Sequence, residues 1–130
     1  MALLLTVNVI GQRKLSIEYN DEKVIKCAVE VYRESTQYLT LGHLQSYKEY
    51  LTHFEFYEAT NEQIATGNYP LISTLTLRNK YNVDLDYDKG PNFEIEKFNP
   101  LKYFFLTDEN GMSPFYKIYG TNYLVRYNAK

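Results

Sequence analysis

The chain has 130 residues, with 14 Lys plus Arg against 16 Asp plus Glu, 14 Tyr, 7 Phe, one Cys and no Trp. That length suits one domain able to bury about two-thirds of its unfolded surface, and 45% hydrophobic with 23% charged residues is a globular composition, not a disordered one. A net charge of −2 argues against a mainly electrostatic grip on nucleic acid or anionic lipid, and a single cysteine excludes an internal disulfide and a cysteine-rich zinc site.

Residues 1–10 are apolar but have no basic flank, and Thr6 and Asn8 interrupt the run, so they do not read as a secretory signal. No other stretch approaches the ~18 apolar residues of a membrane span, and the expected location is cytoplasmic. Strands are expected over 6–10 and 14–19 around a turn at Gly11-Gln12, with Leu15, Ile17 and Tyr19 alternating against Lys14, Ser16 and Glu18. In 23–33, Ile25, Cys27, Val29 and Val31 share one side of a period-2 pattern, while Val24, Ala28 and Val31 share a helical face. The β-branched content favours a strand there, which completes a three-strand meander.

The period changes at 40–54, where Leu41, Leu44, Leu51 and Phe54 recur at helical spacing behind Thr40 as N-cap. Residues 54–57 either extend that helix or begin a strand. A shorter helix is expected over 60–66, with Thr60 as cap and Gly67 beyond its end. From 69 onward alternation returns in 71–78, 81–88, 93–98, 103–106, 115–119 and 121–127, with turn signals at Gly90-Pro91, Asn99-Pro100 and Asn110-Gly111. The expectation is one α+β domain over 1–130, a mainly antiparallel sheet of about seven to nine strands with a main helix and a short second one.

Chemical signatures are sparse. Asp84, Asp86 and Asp88 alternate as calcium ligands do, but Lys89 stands where an EF-hand loop needs glycine and Ile95 where it needs a bidentate Glu. Their plain reading is a strand with its carboxylates in water, so no metal is expected. His43 and His53 lie ten residues apart, about 80° round a helix, which does not make an adjacent-turn metal pair. Cys27 reads as a buried thiol. With no phosphate loop, nucleophile elbow or His-Glu-x-x-His motif, neither a cofactor nor an enzymatic activity is expected.

Tyrosine is the anomaly, since aromatics make up 16% of the chain. Tyr32, Tyr38, Tyr103, Tyr116, Tyr119, Tyr123 and Tyr127 fall in β-prone segments. Tyrosine suits half-buried positions, because its ring is apolar and its hydroxyl needs a partner. The bland reading places these rings in the core. The sharper one makes Tyr103, Tyr116, Tyr119, Tyr123 and Tyr127 a contact surface on the sheet. The expected function is therefore a non-enzymatic protein-interaction or assembly module forming a homo-oligomer, a class that includes small inhibitors and structural subunits. The alternatives are a single-stranded nucleic-acid binder that stacks bases on tyrosines beside Lys102, Lys117 and Arg126, or a small ligand-binding or enzymatic domain without a motif.

Overall fold

The computed structural model describes residues 12–79 and 92–130. Asn20 starts the first helix, α1 (Asp21–Tyr32), by accepting the Lys23 amide at 2.9 Å, and Asp21 and Glu22 add negative charge to its first turn. Val24, Cys27, Ala28 and Val31 are the buried positions, a helical spacing, whereas Ile25 and Val29 remain 45% and 46% exposed. The strand expected over 23–33 is thus a helix. Its β-branched residues lower helix propensity by only tenths of a kcal/mol each, roughly, which a capped start and a fully buried stripe override. Arg33 closes it with a positive φ of 50°.

Helix α2 (Leu41–Thr52) follows a short 3₁₀ turn and begins at Thr40 as expected. Its capping box uses a histidine: Thr40 Oγ1 accepts the His43 amide, and His43 Nδ1 accepts the Thr40 amide at 2.9 Å. Residues 54–57 belong to a strand, β2 (Phe54–Ala59). Helix α3 (Asn61–Thr66) repeats the device with Thr60 and Gln63, and Gly67 lies just beyond it. A side chain at Gly67 would meet the Tyr69 ring and the Gln63 carbonyl, so close approach is what requires glycine there.

Strands β1 (Gln12–Leu15), β2, β3 (Tyr116–Lys117) and β4 (Tyr123–Tyr127) form one antiparallel sheet in the order β1-β2-β4-β3. The register sets Leu15 opposite Phe56, and Val125 opposite both Phe56 and Tyr116. Those residues, with α1, Leu51 of α2 and the segment from Ile95 to Tyr103, form a single buried cluster. Phe98 is its hinge point, stacked on Tyr103 at 5.8 Å and edge-on to Phe56 at 6.2 Å.

The architecture is α+β with an antiparallel sheet, but the described residues hold four strands and three helices, not seven to nine strands. Besides 23–33, the segments 71–78 and 93–98 account for the difference. Each contains a 3₁₀ turn, Ile72–Thr74 and Ile95–Lys97, and each buries residues three apart, Ile72 with Leu75 and Ile95 with Phe98. Thr74 Oγ1 donates to the Leu71 carbonyl at 2.7 Å, a local bond that competes with sheet pairing. Of 103–106 only Tyr103 pairs, in an isolated bridge to Leu77. The strands expected at 6–10 and 81–88 lie outside the described residues.

Candidate functional site

The five tyrosines expected to form a contact surface do not share one. Tyr103 and Tyr116 are buried in the core, so their rings offer no open platform to a partner or a base. Tyr123 and Tyr127 are half-buried against that core, Tyr127 with Tyr50 at 5.1 Å and Phe54 at 5.2 Å. Tyr119 alone projects, 57% exposed, beside the turn glycine Gly120. The aromatic side of the sheet is filled from within the chain by α1 and the 95–103 segment.

The opposite side of the sheet is held by charge. Glu55 accepts from Arg126 Nε at 2.6 Å with Lys14 Nζ at 3.6 Å, and the Arg126 guanidinium lies over Phe115 at 4.4 Å. Burial pushes the Glu55 carboxyl up, but the Arg126 hydrogen bond and the charges of Arg126 and Lys14 outweigh it and hold the group below the usual range.

The other sequence candidates separate. Asp84, Asp86 and Asp88 lie outside the described residues, and among the described residues no group of three or more His, Cys, Asp or Glu is placed to hold a metal. His43 caps α2 and its ring stacks beside Tyr47, whereas His53 lies against Tyr127. Cys27 is buried beneath a cleft of about 530 Å³ between α1 and residues 96–99, with Lys23, Lys26, Glu22 and Glu96 on its walls. Burial, then the charge of Glu30, pushes the thiol up to about 11, so it is almost wholly protonated at neutral pH. A second groove of about 580 Å³ runs between α1 and α2 past Ile25, Leu41 and Leu44, and Lys48 spans the two helices to Asp21 at 2.8 Å.

The most distinctive constellation is one that sequence reasoning missed. The Leu77–Tyr103 bridge is extended by the Arg78 amide donating to the Lys102 carbonyl at 2.8 Å and the Phe104 amide to the Thr76 carbonyl at 2.9 Å. In such a pair Arg78 and Phe104 are diagonal neighbours on one face, within reach of each other. The Arg78 guanidinium accordingly lies 4.6 Å from the Phe104 ring centre, and 5.7 Å from that of Tyr50 on α2. Its Nε–H donates to the Leu101 carbonyl at 2.9 Å, and Asn79 anchors the following residue to the end of α1 through the Val31 carbonyl.

Tyr47, one turn before Tyr50, donates to the Tyr32 hydroxyl at 3.2 Å with the two rings stacked at 5.7 Å. Burial raises the Tyr47 and Tyr50 hydroxyls, and the positive charge of Arg78 opposes that rise at both. Arg13 and Arg126 each pair with a glutamate, but no carboxylate pairs with Arg78 among the described residues. Phe104 is 43% exposed and Leu106 is exposed beside it. The result is an arginine and a row of aromatic rings drawn from α1, α2, the 76–78 segment and the 102–104 segment. Tyr47 and Tyr50 had a sequence signal, their spacing on a helix, but nothing local joins Arg78 to Phe104. No protein-family model, curated protein or solved structure matches the chain.

Proposed function

We propose that the chain is a non-enzymatic protein-binding module whose contact face is formed by Tyr32, His43, Tyr47, Tyr50, Arg78 and Phe104. One observation carries this reading: a half-buried guanidinium held between two aromatic rings with no carboxylate of its own among the described residues. Tyr, Phe and Arg are the residue types enriched where partners bury surface, and arginine and tyrosine dominate binding hot spots. The reading keeps the function class expected from the tyrosine content and moves the surface from the sheet to the helices. A protonated, buried Cys27 lends no support to nucleophilic catalysis.

The test is a photo-reactive phenylalanine analogue at position 104, with Glu62 on α3 as the comparison position. Cross-linking to one protein should occur from 104 and not from 62. The purified partner should then bind about 30-fold more weakly to Phe104→Ala or Arg78→Gln, the size of a hot-spot loss. Equal cross-linking from both positions, or affinity indifferent to both changes, would sink the reading.

A further inference from the structure

Resting on that reading, we infer that the face takes a carboxylate, presented by an acidic and apolar segment of a protein partner and seated on Arg78 between Tyr50 and Phe104. A guanidinium has five N–H donors in a rigid fork; the carbonyl of Leu101 takes the Nε–H, and a side-chain hydrogen bond to the Tyr50 hydroxyl takes one more. The terminal amino groups therefore retain donors in the geometry that matches a carboxylate bidentately. Half-burial makes a cation with no carboxylate among the described residues costly, so a counter-ion from outside gains more at Arg78 than at a fully solvated arginine. The Phe104 and Tyr50 rings hold the fork in place, which lowers the ordering cost of binding.

The charge of the face selects the ligand. Among the six described residues of the face, Arg78 is the one Lys or Arg. A single positive charge matches a monoanionic carboxylate better than a phosphate near charge −2. The exposed Phe104 and Leu106 beside it call for an apolar neighbour on the ligand. A second copy presenting the same face is the poorer fit, since Tyr32, His43, Tyr47, Tyr50, Arg78 and Phe104 include no acid to offer Arg78.

The experiment follows the Arg78 Nε–Hε signal and the Tyr47 and Tyr50 ring signals by NMR in the full chain. The probes are acetyl-Leu-Glu-Phe-amide, its Gln counterpart, sodium acetate and inorganic phosphate. The Glu peptide should shift these signals saturably, at least roughly tenfold more tightly than the Gln peptide or acetate. Arg78→Lys should weaken that response, because an ammonium cannot make the bidentate contact. The Glu-against-Gln contrast needs only the wild-type chain, so it stands whatever the variant does to folding. Equal response to the two peptides, or tighter binding of phosphate, would overturn the carboxylate assignment. Signals that move with protein concentration alone would overturn it in favour of a second copy. If no probe acts while cross-linking from 104 stays specific, the contact face survives and the carboxylate does not.

Discussion

Asn99 links the 95–103 segment to the first helix, and its replacement separates hydrogen bonding from packing. The side chain is 2% exposed; its Nδ2 donates to the Cys27 carbonyl at 3.0 Å and its Oδ1 accepts the Leu101 amide at 3.1 Å. Asn99→Ala removes both bonds, each contributing about 1 kcal/mol, and leaves the buried Leu101 amide unsatisfied at a further cost of about 1–3 kcal/mol. Partial overlap of those contributions gives an expected loss of about 2–4 kcal/mol, a large fraction of the roughly 5–15 kcal/mol that a domain possesses. Asn99→Asp keeps the acceptor for Leu101 but turns a carboxylate toward the Cys27 carbonyl. At neutral pH it should cost about 3–5 kcal/mol, as an uncompensated buried charge does. Burial raises the folded-state pKa of that Asp, so its destabilisation is full only above that raised value and shrinks as pH falls from there toward the ordinary carboxylate range, where the protonated acid regains a donor. Urea denaturation of the three chains at pH 7 and pH 4, with m held as a check on two-state behaviour, measures all of this. A loss below about 0.5 kcal/mol for Asn99→Ala, or a pH-independent loss for Asn99→Asp, would refute the bonding assigned here.

Two further outcomes follow from titrating groups. Glu55 is held below its ordinary value of 4.5 by Arg126 and Lys14 against the opposing effect of burial, so its stabilisation is present above that value and is lost as pH falls through the lower folded-state value. Glu55→Gln should therefore flatten the acid limb of a plot of melting temperature against pH, and an unchanged limb would show that the Arg126 pair is inconsequential. Cys27, buried with its thiol pushed up to about 11, should react with a thiol reagent at pH 8 only as fast as the chain opens, in contrast to its prompt reaction in urea. Prompt reaction in the native chain would place the sulfur at the surface of the α1 cleft.

The sequence was most informative where local chemistry alone decides the backbone. Thr40 and Thr60 each begin a helix because a threonine oxygen satisfies the amide three residues on, and both starts are visible as residues. At 23–33 two periods coexist, and the tie is broken by Asn20, Asp21 and Glu22, which together make a helix start. Later in the chain, alternation of large and polar residues does not by itself bring strands together. Ile72 with Leu75 and Ile95 with Phe98 satisfy the core as tight turns; beside the first, Thr74 Oγ1 donates locally to the Leu71 carbonyl, and after the second, Pro100 has no amide to give a ladder.

Tyrosine content could not distinguish core from surface, since a phenol ring is equally at home in either half-wet setting. Tyr103 and Tyr116 are buried with Phe98, and against Phe105, in the same core cluster that takes in the apolar stripe of α1, a segment that reads in sequence as a strand. The Arg78 face depends on contacts between residues distant in the chain, such as Arg78 with Phe104 and with Tyr50. Such contacts follow from packing rather than pattern, and an arginine without its acid becomes informative only once every neighbouring carboxylate has been placed.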